Sequence, residues 1–315
     1  MGAHIGIIGA GQVGAAAGFL LSSMPGISDI VLVDVDAQRA EGEAADIAHA
    51  AAFGATARIT EGGYADLAEA EVVVITAGAS LEPGQNRLQL IEKNLQILQD
   101  LLPQVLKAAP QAVLLFAANP VDVMTAVAVQ HFGVPRERAI GTGCTLDAIR
   151  FRDALAQHLE VTPTSIHANV LGEHGDSSVL HWSQASIGGI PVLEFASQWG
   201  RPIDAALQAQ MAQTVRTAAY QIKAVKGVSN FGIGGGIARL VKALVDDERS
   251  VHPVSTFMPQ LLGVANTCVS LPHVLGSRGA SQPLLPPLSA QERAALRHSA
   301  DTVAQAIAQG LQGLS

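Results

Sequence analysis

A short apolar run at the start of the chain ends on Gly9-Ala10-Gly11-Gln12-Val13-Gly14, and no other segment constrains the fold as strongly. Glycines at that spacing permit a tight strand-to-helix turn, close approach of backbone to a ligand, and close packing of helix on strand. The helix that opens there offers unpaired N–H groups and the positive end of its dipole, a seat for a pyrophosphate. Glycine turns also serve plain strand-to-helix connections. Asp34 narrows the choice, because it ends the next apolar run, twenty residues beyond Gly14. A carboxylate there hydrogen-bonds both hydroxyls of an adenosine ribose and repels a 2′-phosphate, so NAD is expected over NADP.

The rest of the first half has the matching rhythm. Short apolar runs at 4–8, 30–33, 58–60, 72–76, 112–116 and 139–142 read as strands, and helical patterns lie at 13–23, 37–51, 88–108 and 121–132. Six strands in βαβ order predict an α/β fold, a Rossmann doubly wound parallel sheet of order 3-2-1-4-5-6 that binds its ligand at the strands' carboxyl ends. After Gly143 the rhythm changes. Helical stretches at 146–159, 205–225 and 290–311 alternate with strand-like segments at 165–171, 179–187 and 268–271. The expected division is therefore a cofactor-binding domain at 1–143 and an α+β substrate domain at 144–315.

Composition excludes several classes. The chain is 49% hydrophobic and only 15% charged, which suits a packed globular protein rather than a disordered one. Its net charge of −8 argues against a general nucleic-acid binder. No apolar run is long enough to span a bilayer and no leader-like segment is evident, so the expected location is the cytoplasm. Cys144 and Cys268 have no metal-like spacing and are expected to be buried, reduced thiols, with no metal site implied.

Several polar motifs sit where strands end. Thr76-Ala77-Gly78 opens a loop, Gly/Pro-punctuated through Arg87, that reads either as a lid or as a solvated loop with a surface Arg. Asn119-Pro120-Val121-Asp122 reads as a turn and helix start. Asp147 and Arg150 share a helix face, as an ordinary ion pair would. In Gly172-Glu173-His174-Gly175-Asp176, glycine and charge flank a His that is not expected in a core.

Taken together, GAGQVG, Asp34, TAGASLEPGQNR, NPVD, LDAIR and GEHGDS resemble the lactate/malate dehydrogenase family in sequence, order and spacing, over nearly the whole chain. The resemblance implies an NAD-dependent hydride transfer to a 2-keto acid. His174 would be the acid/base and Asp147 its partner. Arg150 would grip the substrate carboxylate, Arg87 would polarise the carbonyl, and Asn119 would orient carbonyl and nicotinamide. The cofactor would lie against Gly9, Gly11, Gln12, Val13, Gly14, Asp34, Thr76, Ala77, Gly78 and Asn119. A catalytically idle NAD-binding sensor on the same fold would need none of His174, Asp147, Arg150 and Arg87.

Leu81 departs from the family pattern. Malate dehydrogenases typically carry Arg at this loop position and lactate dehydrogenases Gln. A second substrate carboxylate facing Leu81 would lack a partner, at a cost of several kcal/mol, so malate is disfavoured. Leu81 and Ser229 suit an apolar R-group: the methyl of pyruvate, or the larger groups of a broader L-2-hydroxyacid dehydrogenase. Arg152 lies two residues past Arg150 and His167 seven before His174, offsets that resemble bacterial lactate dehydrogenases activated by fructose 1,6-bisphosphate. The resemblance also implies a homotetramer.

Overall fold

The computed structural model describes residues 2–55, 57–79 and 87–314, leaving aside the side chains of Arg87 and Leu88. The first half runs β1 (Ala3–Ile8), α1 (Gln12–Ser22), β2 (Ile27–Val33), α2 (Ala37–Ala51), β3 (Arg58–Glu61), β4 (Val72–Ile75), α3 (Arg87–Ala108), β5 (Val113–Phe116), α4 (Val121–Gln130) and β6 (Ala139–Gly141). Because helices cover both faces of the sheet, its strands read as continuous apolar runs, and β4 and β5 are buried at every position. The strands pair in parallel in the order 3-2-1-4-5-6, as the sequence predicts.

The second half opens with α5 (Thr145–Leu159) and the short strands β7 (Ile166–His167), β8 (Val170–Leu171), β9 (Val179–Leu180), β10 (Ser186–Ile187) and β11 (Ile190–Pro191). There follow α6 (Val192–Gln198), α7 (Ala205–Lys226) and α8 (Phe231–Val245). A long hairpin of β12 (Ser250–Leu261) and β13 (Val264–Gly276), then β14 (Gly279–Ala280) and α9 (Ala290–Gln312), complete the chain. The hairpin joins β6 antiparallel through Ser255 and Gly141, so the sheet grows to nine strands.

Two layers of core hold the sheet. On one face α3, α4 and α9 bury Leu98, Met124 and Ile307 against β5 and its Phe116. On the other, α1, α2 and α8 bury Leu21, Ile47 and Leu240 against Ile7 and Leu32. A third cluster packs α5 and α7 on the short strands around Phe151, Leu155 and Met211, with Phe151 and Trp182 meeting edge to face at 4.7 Å.

The strand-like segments expected at 165–171 and 179–187 are each broken into two short strands, and two further elements differ from the sequence reading. The strand expected at 268–271 is part of the hairpin, where Pro253 faces Pro272 across two strands of 12 and 13 residues. Proline supplies no ladder donor, and the pair hid the strands' true length. Helix α8 was not expected because Gly232, Gly234, Gly235 and Gly236 crowd its first turns. Packing accounts for one of them: a Cβ on Gly234 would come within 3.1 Å of the Ala16 Cβ, so glycine lets α8 lie close on α1.

Candidate active site

The carboxyl ends of β1, β4 and β5 form one rim. Gly9 has φ +104, a conformation that favours glycine, and a Cβ there would stand 2.6 Å from the Ala77 nitrogen. A Cβ on Gly14 would overlap the Gly9 carbonyl oxygen. Gly11 is different, since a Cβ there would meet nothing within 4 Å. It is the N-cap of α1 and carries no side-chain cap, so the free helix N-terminus opens onto space that a pyrophosphate can fill.

Thr76 closes the turn from the neighbouring strand, its Oγ1 donating to the Gly9 carbonyl at 2.7 Å. Asp34 accepts the Ala10 N–H at 2.6 Å and the Asp36 N–H at 3.0 Å, which fixes its carboxylate beside the glycine turn. Gly78 lies close to Ala118, so the loops after β4 and β5 touch at the rim. Turn, helix end and acid together fit a dinucleotide, with the ribose at Asp34. When bound, that cofactor supplies a hydride.

Across the rim, α5 and the turn after β8 bring three polar side chains together. His174 Nδ1 and Asp147 Oδ2 are 2.7 Å apart, and Arg150 Nη1 donates to Asp147 Oδ1 at 3.0 Å. Asp147 is 8% exposed, Arg150 15% and His174 24%. Spacing on α5 aims Asp147 and Arg150 the same way. Gly172 and Ser270 exchange both backbone hydrogen bonds, at 3.0 and 2.8 Å, and so fasten the His174 turn to β13.

Charge inside this triad is mutually supporting. Burial works against the His174 imidazolium, but the charge and hydrogen bond of Asp147, with help from Asp122, outweigh it and the opposition of Arg150, so the His174 pKa lies above its ordinary value. Burial likewise works against the Asp147 carboxylate, yet His174 and Arg150 hold its pKa below the usual range. A histidine whose protonated form is favoured by a neighbouring carboxylate, set beside an arginine fork, can protonate a developing alkoxide next to a bound carboxylate.

Other candidate residues are placed as follows. Asn119 sits at the β5 rim, and its carbonyl accepts from Asn94 Nδ2 at 2.6 Å. Ser229 lies half-buried in the connection from α7 to α8, beside Asn230, whose Nδ2 donates to the Gln12 carbonyl at 3.4 Å. Leu81 and the side chain of Arg87 lie outside the described residues. Arg152 donates from Nε to the Ala168 carbonyl at 2.9 Å, next to exposed His167.

Family comparison decides between the readings this geometry allows. The model for the lactate/malate dehydrogenase NAD-binding domain matches residues 3–141, and that for the family's alpha/beta C-terminal domain matches 144–313. The chain belongs to the lactate/malate dehydrogenase family. Among curated relatives, the L-lactate dehydrogenase of Thermus aquaticus is 47% identical over 94% of this chain and 96% of that one. That of Geotalea daltonii is 44% identical over 96% and 98%. The ligand-bound crystal structure of a minor L-lactate dehydrogenase from Enterococcus mundtii superposes with a TM-score of 0.93 at 32% identity, covering 98% of both chains. Membership makes the chain an NAD-dependent oxidoreductase acting on a small molecule.

Two residues of this family member's site escaped the sequence reading. Asn94, fully buried on α3, also accepts the Ala79 N–H at 2.6 Å and donates to the Ala79 carbonyl at 3.1 Å, tying the loop root to the Asn119 turn. An amide amid Ile91, Leu95 and Leu98 on an apolar helix face was the available signal. Glu173, buried beside the histidine, accepts from Ser177 Oγ at 2.5 Å, while its N–H donates to Ser299 Oγ at 2.7 Å. Both cysteines are buried free thiols. Among the described residues, no His, Cys, Asp and Glu cluster could hold a metal, and no helix is long and apolar enough to cross a membrane.

Proposed function

We infer that this family member is an NAD-dependent L-lactate dehydrogenase, interconverting pyruvate and L-lactate, with the cofactor held by residues 1–143 and the substrate chemistry supplied by 144–315. The observation that carries it is the Asp147 carboxylate shared between His174 and Arg150. In the reducing direction Arg150 pairs with the pyruvate carboxylate. His174, protonated, donates from Nε2 to the keto oxygen as negative charge grows there, and Asp147 holds Nδ1–H throughout. In the reverse direction the neutral ring takes the hydroxyl proton back. Arg87 is assigned to polarising the carbonyl, Asn119 to orienting it, and Leu81 with Ser229 to lining the apolar R-group pocket.

The same reading places the enzyme in the cytoplasm at the fermentative end of glycolysis, as a homotetramer. Supporting self-association, α7 buries only Met211 and Val215 while Tyr220, Ile222 and Val225 stay exposed. Arg152 and His167 are assigned to fructose 1,6-bisphosphate. Paired across a two-fold axis they would repel, and the bound anion would relieve that repulsion and favour the active assembly. What supports the site is the Arg152 guanidinium held beside the strand that carries exposed His167.

NADH oxidation with pyruvate, oxaloacetate, 2-ketoisocaproate and phenylpyruvate, each with and without the bisphosphate, tests all of this. Pyruvate should dominate, with a lower half-saturation in the presence of the bisphosphate. Preference for the bulky acids would make the enzyme a broader 2-hydroxyacid dehydrogenase, and preference for oxaloacetate would overturn the assignment of Leu81. No change in half-saturation or mass on bisphosphate titration would remove the effector site.

A further inference from the structure

Beneath the His174 turn lies a carboxylate that the mechanism above does not use. Asp122, in the first turn of α4, is 3% exposed. Its Oδ2 accepts the His174 backbone N–H at 2.8 Å, and its Oδ1 accepts the Ser255 hydroxyl at 2.5 Å. Ser255 Oγ in turn lies 2.9 Å from Ser270 Oγ, which accepts the Cys144 N–H at 2.8 Å. One buried carboxylate therefore links the histidine turn, both strands of the hairpin, and the N-cap of the helix that carries Asp147 and Arg150.

A capping role does not explain this placement. The N-cap of α4 is Pro120, and the Asp122 oxygens accept from other parts of the chain rather than from its own helix end. Nor does stability alone explain a charge here, because a buried carboxylate costs free energy that an isosteric neutral group would not. Burial lifts the Asp122 pKa to about 6, against the pull of the Ser255 hydroxyl and of His174; neighbouring Glu173 pushes it the same way as burial. At neutral pH the group still keeps its charge for the most part. The other groups facing it are the thiols of Cys144 and Cys268, both shifted well above their ordinary range and so uncharged at neutral pH.

We propose that Asp122 is a positioning residue for the acid/base: its buried negative charge anchors the His174 main chain and sustains the imidazolium alongside Asp147. The proposal rests on the dehydrogenase reading for its kinetic consequences, but not for its titration consequence. Asp147 fixes which ring nitrogen carries the proton; Asp122 adds charge without touching the ring.

The test is Asp122→Asn. An amide can accept the His174 N–H through its oxygen and donate to Ser255 Oγ, so it keeps the hydrogen bonds and removes only the charge. Expected are a melting temperature at or above that of the wild type, an unchanged NADH affinity, and an alkaline limb of kcat/KM for pyruvate moved to lower pH. At pH 8 the loss should be about three- to tenfold. Asp122→Ala removes the anchor as well and should lose about a further tenfold. Titration of the His174 ring by NMR in selectively labelled enzyme should show the same downward displacement in Asp122→Asn. Ser255→Ala, which strips the carboxylate of one donor, should displace it less in the same direction and serves if Asp122→Asn does not fold. An unmoved His174 titration in the folded variant overturns the proposal. Absence of keto-acid turnover in the wild type would instead overturn the dehydrogenase reading, with the NMR titration still judging Asp122.

Discussion

Replacing Asp147 by Asn tests the shared carboxylate most directly, because one side chain then has to serve two partners with different needs. In the structure Oδ1 faces Arg150 and Oδ2 faces His174. An amide has one oxygen. If that oxygen stays with Arg150, the NH2 group donates to His174 Nδ1 and locks the ring in the tautomer that cannot become imidazolium without breaking the bond. If the oxygen turns to His174, the NH2 group faces the guanidinium and Arg150 loses its support. The lost attraction can be scaled from the 2.7 Å contact, which puts the charge centres about 4 Å apart, worth about 4 kcal/mol at an effective dielectric near 20. Full loss would slow the reaction about a thousandfold. The opposing charge of Arg150 and the ring's partial exposure reduce this, so kcat/KM for pyruvate should fall by about 10²–10³. Removing the anion destabilises the imidazolium, so the His174 pKa falls and the alkaline limb moves to lower pH. Steady-state NADH oxidation from pH 5 to 9 reads both quantities. A folded variant within about threefold of wild type, with its pH limb unmoved, would refute the shared-carboxylate mechanism.

Two further perturbations probe other parts of the molecule. Gly11→Ala adds a methyl where nothing lies within 4 Å, so the melting temperature should hold while NADH affinity, read by fluorescence titration, falls at least about tenfold; unchanged affinity would place the pyrophosphate elsewhere. His273 is fully buried, with Nδ1 donating to the Leu271 carbonyl at 2.7 Å and Nε2 accepting from Thr256 at 2.8 Å, and burial drives its pKa from 6.5 to about 4. The folded value is the lower one, so this contribution is complete above pH 6.5 and is lost as pH falls toward 4, a change of about 3 kcal/mol. Urea unfolding should show a steep acid decline in the wild type and a shallower one in His273→Gln, and equal slopes would contradict the neutral buried ring.

How much of this could be read from the residues alone depends on whether the cause was local. The Gly9–Gly14 turn, the apolar strands and Asp34 were legible, because a tight turn and a period-two or period-3.6 pattern are written in neighbouring positions. The triad was not legible in that way. Asp147 with Arg150 looks like any surface pair on a helix, and His174 like any loop histidine; only the family resemblance joined them. The structure shows why: β13 fixes the His174 turn through Ser270, nearly a hundred residues away, and that contact has no local signature. The same applies to Asp122, whose partners His174 and Ser255 come from two distant segments. Helix α8 was hidden for the opposite reason, since its glycines oppose helix formation locally, and of them only Gly234 is accounted for by close contact with α1.

The pairing of β12 with β6 has a consequence during synthesis. When the first six strands have left the ribosome, β6 stands at the edge of the sheet with its outer backbone groups unpaired, and its partner Ser255 lies roughly a hundred residues downstream. At translation rates of about 5–20 residues per second, that edge waits on the order of ten seconds. A nascent chain in this state remains open to strand addition by another copy. Completion of the hairpin closes the edge and delivers Ser255 and Ser270 beneath the histidine turn in the same event. Closure of the exposed edge and support of the histidine turn by the hairpin are therefore timed together.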